Sequence, residues 1–125
     1  MCALALAGLF ASDAAASDCD VQLITHEELK LAMAENRVIL IDANGTASYI
    51  EAHIPGSIDY QTNHAKLGKL LPRDKAMLVV TYSAHEHCGA FRSAMEVAAQ
   101  LGYTNIKLYS PGIEGWKARE TIAKN

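Results

Sequence analysis

Ser83-Ala-His-Glu-His-Cys88 sets a hydroxyl, two imidazoles, a carboxylate and a thiol in one short polar stretch. What precedes and follows it decides what those groups can do. Met77-Leu-Val-Val-Thr-Tyr82 is a short apolar run rich in β-formers and reads as a strand buried on both faces. From Gly89 to Leu101, residues Ala90, Ala94, Val97, Ala98 and Leu101 recur at helical spacing, and Gly102 supplies the stop. A strand that runs through a tight loop into a helix N-terminus aims backbone N–H groups at one spot. The helix dipole adds partial positive charge there, so the loop is expected to cradle an anion. Its chemistry is expected at Ser83 and Cys88, with Ala84, His85, Glu86, His87, Cys88 and Gly89 lining the bound group.

The rest of the chain has to hold that loop in place. Val21-Gln-Leu-Ile24 reads as a short strand, and Thr25-His-Glu-Glu28 as a capping box that opens a helix with Leu29 and Met33 on its apolar face. Arg37-Val-Ile-Leu-Ile-Asp42 is a second strand of the buried parallel type. Asn44-Gly45 ends it, and Thr46 to Ala52 reads as a short helix capped by Thr46. His53-Ile-Pro-Gly-Ser-Ile58 is a turn into a brief strand, with Ile54 held extended by Pro55 and a positive φ open to Gly56. His64 to Leu71 is a turn or two of helix ended by Pro72. Asn105-Ile-Lys-Leu-Tyr109 is a further strand, Ser110-Pro-Gly112 a loop, and Ile113 to Ile122 a closing helix that buries Trp116. Strands alternating with helices across short connections predict an α/β domain: a central parallel sheet flanked by helices. Ligands of such sheets bind beyond the C-terminal ends of the strands, which is where Ser83 falls.

Composition narrows the classes. The 125 residues suit one domain, and 50% hydrophobic with 20% charged residues is ordinary globular content. A formal net charge of -3 with no basic cluster and few aromatics argues against nucleic acid as a partner. The three cysteines, Cys2, Cys19 and Cys88, lack zinc spacing and are too few for a disulfide framework. Residues 1–18 differ from the remainder: an apolar run from Cys2 to Ala11, then small residues with a cleavage-like Ala14-Ala15-Ala16. This resembles the later part of a secretory signal without its basic start. It sets an expectation of a leader over 1–18, a domain over 19–125 and a periplasmic or secreted location, the alternative being an Ala-rich tail on a cytoplasmic protein. The apolar run is too short to span a bilayer.

Three separated stretches share one family likeness. Leu40-Ile-Asp-Ala-Asn-Gly-Thr-Ala-Ser-Tyr-Ile-Glu-Ala-His-Ile-Pro-Gly-Ser-Ile58 resembles the "LIDVR…EY…GHIPGAI" signature of rhodanese-like domains. Leu71-Pro-Arg-Asp-Lys75 with the Val79-Val80 strand resembles their approach to the active loop. Gly102-Tyr-Thr-Asn-Ile-Lys-Leu-Tyr-Ser-Pro-Gly-Ile-Glu-Gly-Trp116 resembles their "GY.NV..L.GG…W" ending. The resemblance implies a rhodanese-like single domain and a sulfurtransferase reaction. In that reaction a cysteine at the first loop position takes the outer sulfur of thiosulfate, 3-mercaptopyruvate or a protein persulfide, then passes it to cyanide or another thiol. It implies a small sulfur-containing anion or a protein persulfide or thiol as partner, a monomer, and no cofactor.

Here the first loop position is Ser83, where the family's strand ends "VVYC". A hydroxyl forms no stable persulfide, and without a partnered base it is a poor nucleophile, so the chain as written is expected to lack normal sulfurtransferase activity. Cys88 matches the second thiol of a subset, often exported, whose loops read "YC….C"; the resemblance gives it a supporting or resolving role, and a helix start should lower its pKa. Four readings of Ser83 stay open. It is a Cys→Ser change made to silence the enzyme, or a natural loss that leaves an anion- or protein-binding regulatory module. Otherwise the sulfur chemistry has moved to Cys88 in a rearranged loop, or the loop is inert. Asn44 and Pro111 also depart from the family pattern, the former where an Arg usually stands and the latter in the "GG" pair.

Other groups have plainer readings. His85, His87 and Cys88 are adjacent on one loop, too close together to share a tetrahedral metal, so no metal site is expected. A phosphatase of this fold needs five residues between its Cys and Arg, whereas Cys88 and Arg92 enclose three and Ser83 and Arg92 enclose eight. Arg92 then reads as a helix-surface residue. His53 is expected to hydrogen-bond backbone in its turn, His26 to face solvent, Asp42 to orient loop N–H groups, and Tyr82 and Trp116 to pack.

Overall fold

Val38–Asp42 (β1), Ile58–Asp59 (β2), Leu78–Tyr82 (β3) and Ile106–Leu108 (β4) pair in the spatial order β2-β1-β3-β4, all parallel. The structure is a computed structural model and describes residues 21–124. The leader-like stretch of residues 1–18, with Cys2 and Cys19, falls outside the described residues. β1 and β3 run side by side at the centre, with Val38 opposite Leu78 and Asp42 opposite Tyr82. That register brings the ends of both strands, and the loops after them, to one edge of the sheet.

Alternation along β3 sorts its side chains onto two faces. Val80 and Tyr82 join Ile24, Leu29, Leu40, Ile54, Tyr109, Ile113 and Trp116 in one buried cluster. Val79 joins Ile41, Leu67, Leu71, Ala94, Ala98 and Tyr103 in the other. The first cluster draws on His26–Ala34 (α1) and Gly112–Lys124 (α6), the second on Leu67–Leu70 (α4) and Phe91–Gln100 (α5). Each fully buried Val or Leu in such a layer contributes about 1.5–3 kcal/mol relative to exposure. A continuous apolar run is the expected signature of a strand covered on both sides.

Several expected elements change in detail. The strand at Val21–Ile24 is reduced to one parallel bridge, Leu23 to Leu108, because the capping box at Thr25 starts α1 at once. Both halves of that box form: Thr25 Oγ1 accepts from the Glu28 N–H at 3.0 Å, and Glu28 Oε1 accepts from the Thr25 N–H at 3.0 Å. Thr46 does not cap Thr46–Glu51 (α2); Gly45 takes the cap position with φ 98°, and no side chain caps the helix. The Thr46 hydroxyl instead donates to Asp59 Oδ2 at 2.7 Å, tying α2 to the end of β2. The turn before β2 keeps Gly56 at φ 85°. The helical turns expected from His64 begin earlier, with Tyr60–Asn63 (α3), because Asp59 caps them by accepting from the Gln61 N–H. In α5, Phe91 is buried and Ala90 exposed, so the apolar face starts one residue later than its spacing implies.

Candidate functional site

Strand β3 ends at Tyr82, and the chain then turns Ser83 inward. Ser83 is 2% exposed, and no atom meets hydrogen-bond geometry with its Oγ. Its carbonyl accepts from the Ile113 N–H at 3.0 Å, and the Ala84 carbonyl accepts from the Glu114 N–H at 3.0 Å. First-turn N–H groups of a helix have no partner inside the helix, so α6 spends two of them on holding this loop. Gly112 makes that approach possible: a Cβ built there would lie 2.5 Å from the Ala84 carbonyl, and its φ is 70°. The sequence reading missed this clamp. Its only local sign is Pro111-Gly112 directly before a helix, a turn signal that says nothing about which distant loop the turn touches.

Beyond Ala84 the loop reaches solvent. His85, Glu86, His87 and Gly89 are exposed. The Cys88 N–H donates to the His85 carbonyl at 3.0 Å, and the His87 N–H meets His85 Nδ1 at 3.2 Å, so these two amides are used inside the loop. Cys88 is half-buried, and its thiol is free. The N–H groups of Ala90 and Ala84 direct hydrogen bonds at its sulfur, which holds the thiol below its ordinary pKa against the opposing effect of burial. The Ser83 hydroxyl adds the smallest pull in the same direction. Ser83 Oγ makes no hydrogen bond of good geometry, so it acts on the sulfur without a formed bond. No side chain caps α5, whose N-cap is Ala90, so Cys88 sits at a bare helix start.

The Ala84 and Ala90 amides thus act on the sulfur of Cys88, one of the two residues at which the loop's chemistry is expected. The reason is geometric: Ser83 has followed the strand into the core, while Cys88 stands where the helix opens.

Beneath the loop lies a buried polar network. The Tyr82 hydroxyl donates to Asp42 Oδ2 at 2.7 Å, accepts from the Ile54 N–H at 3.0 Å and lies 3.0 Å from Ser57 Oγ. Burial pushes the Tyr82 phenol far above its ordinary pKa. Asp42 Oδ1 accepts from the Asn44 N–H at 2.8 Å, which is the loop-orienting role expected of it. Tyr82 thus does more than pack: it ties the end of β1 to the turn before β2. Asn44 Nδ2, at the position where the family carries Arg, is buried without a partner, and so is Thr81 Oγ1.

The histidines divide. His53 bonds the Tyr49 carbonyl through Nδ1 at 2.7 Å and stacks on the Tyr49 ring at 3.7 Å, in keeping with a structural role in its turn. His26 does not face solvent. Its side chain is 10% exposed, with Nδ1 at 2.8 Å from the Tyr109 hydroxyl and Nε2 at 3.0 Å from Glu120 Oε2. The solvent-facing expectation fails because α6 packs across the first turn of α1. Arg92 is exposed at the start of α5, its guanidinium 5.0 Å from the Phe91 ring.

The family model of the rhodanese-like domain matches residues 25–119, most of the chain and both segments that build the loop. The chain belongs to the rhodanese-like family. No curated protein sequence matches it. Among solved structures, this rhodanese-like domain is similar to an uncharacterized protein of Saccharomyces cerevisiae, with 24% identity and TM-score 0.62 over 82% of this chain and 95% of that one. A human single-domain sulfurtransferase aligns at 18% identity and TM-score 0.61, covering 79% and 97% of the two chains. A Saccharomyces cerevisiae single-domain sulfurtransferase aligns at 16% identity and TM-score 0.60, covering 79% and 90%. These likenesses speak for the fold. Among the described residues, no group of His, Cys, Asp and Glu could hold a metal ion, and no helix is long and apolar enough to cross a membrane.

Proposed function

We propose that this rhodanese-like domain performs sulfur transfer, taking sulfane sulfur from a small anion such as thiosulfate or from a protein persulfide and passing it to a thiol or cyanide. The reading rests on one observation: at the end of the central strand, backbone N–H groups and a bare helix start converge on a sulfur atom in a half-open loop. Such a site stabilises a thiolate and attracts an anionic donor. Residues 84–89 line the approach of that donor. The usual route through the first loop position is closed, since the Ser83 hydroxyl can bear no persulfide.

The test compares thiosulfate:cyanide sulfurtransfer in the chain and in Ser83→Cys. Turnover should rise in the variant, with a persulfide at residue 83 identified by mass spectrometry. No sulfur uptake in either protein would reject sulfur transfer and leave a non-catalytic anion- or protein-binding module. Export to the periplasm or outside the cell belongs to the same proposal, on the strength of residues 1–18, and the intact mass of the mature protein checks it.

A further inference from the structure

The closed route at residue 83 raises the question of which atom takes the sulfur. We propose that Cys88 is the sulfur-accepting nucleophile of this chain, seated beside the uncapped start of α5 in the same loop as the buried, unpartnered Ser83 hydroxyl. The inference rests on the sulfur-transfer reading above and deepens it by naming the reacting atom.

Two independent observations carry it. The first is the position of the thiol: half-buried, in the loop that ends at the uncapped start of α5. Its neighbours His85, Glu86, His87 and Gly89 are exposed, so a donor can reach it from solvent. The second is Ser83, 98% removed from solvent yet without a hydrogen-bond partner. A buried hydroxyl left unpaired is unfavourable until an acceptor takes its hydrogen bond. The sulfur of Cys88 is the group it leans toward, and a thiolate or persulfide there supplies the missing acceptor. Ser83 then acts as a positioning residue, a donor standing where the family's thiol would be.

The chemistry balances without an added oxidant. The Cys88 thiolate attacks the outer sulfur of thiosulfate, forming a new S–S bond. The old S–S bond breaks, and sulfite leaves with its electron pair. Cys88 is left as a persulfide anion. An acceptor thiolate or cyanide then attacks the terminal sulfur, and the Cys88 thiolate is restored.

The experiment incubates the full chain with thiosulfate and, separately, with glutathione persulfide, traps thiols with iodoacetamide and maps each cysteine by peptide mass spectrometry. The expected result is one added sulfur on Cys88, discharged by cyanide as thiocyanate and absent from the isosteric variant Cys88→Ser. Uptake at residue 83 in Ser83→Cys, with none at Cys88 in the parent from either donor, would overturn the assignment while leaving sulfur transfer standing. Uptake at neither residue in either protein would overturn both. Sulfur found only on Cys2 or Cys19 also rejects Cys88. A second readout isolates the hydroxyl: Ser83→Ala should move the pH midpoint of Cys88 alkylation upward, and an unmoved midpoint would remove Ser83 from the mechanism.

Discussion

Gly112 lies so close to Ala84 that a side chain at position 112 would meet the Ala84 carbonyl carbon and oxygen at 2.5 Å. This contact joins the last helix to the candidate active loop. Through it, α6 holds the carbonyls of Ser83 and Ala84, and the Ala84 N–H on the far side of that clamped backbone is left to the sulfur of Cys88.

Gly112→Ala should therefore act on stability and site together. The added methyl collides with backbone that cannot yield cheaply, and φ 70° is unfavourable for alanine. We expect a loss of more than about 1 kcal/mol, read from the urea midpoint. The pH midpoint of Cys88 alkylation should rise, because the displaced loop no longer aims the Ala84 amide. A stable variant with an unchanged midpoint would refute the clamp.

Tyr82→Phe should cost about 1–3 kcal/mol, the usual range when a buried hydrogen-bonding group loses its partner. The ring is conserved in shape, so packing changes little. What is lost is the donor to Asp42 and the acceptor for the Ile54 N–H. Equilibrium unfolding in urea measures it, and a change within error would show that the network carries no net stability.

Alkaline pH should weaken the fold. Burial pushes the Tyr109 phenol from its ordinary 10.0 up to about 12, and Tyr82 moves in the same direction for the same reason. A raised folded value means the folded state holds its proton longer than the unfolded one. The contribution is complete below pH 10.0 and is lost as pH rises through the folded value of about 12. The Cys88 thiol runs in the opposite sense: its depressed folded value gives a contribution complete above the ordinary 9.0 and lost as pH falls through the folded value. Unfolding midpoints against pH should fall above 10.0, and Tyr109→Phe should flatten that fall.

His26→Ala should loosen the seam between α1 and α6. It removes the bonds to Tyr109 and Glu120 and leaves Glu120 to Lys30 alone, at 3.0 Å. A loss of about 0.5–1.5 kcal/mol per hydrogen bond predicts a thermal midpoint lower by several degrees. A double-mutant cycle between His26 and Glu120 separates their bond from general packing, and a coupling of zero would contradict it.

Much of this architecture was legible in the residues alone because its cues are local. Apolar runs of strand length, the reciprocal Thr25 and Glu28 cap, and the helical spacing of Ala94 and Ala98 each depend on neighbours within a few positions. Parallel order followed from strands alternating with helices. Position 83 and its missing thiol were equally plain, since a family signature is read along the chain. Tertiary structure decided the rest, because each remaining feature joins segments far apart in sequence. Nothing near His26 announces Glu120, and nothing near Ala84 announces Gly112. The seating of the loop is the clearest case: the packing of α6 against it holds the Ser83 and Ala84 carbonyls, with the Ser83 side chain buried. Local preferences write the elements, whereas the direction in which a loop's N–H groups point is set by whatever holds its carbonyls.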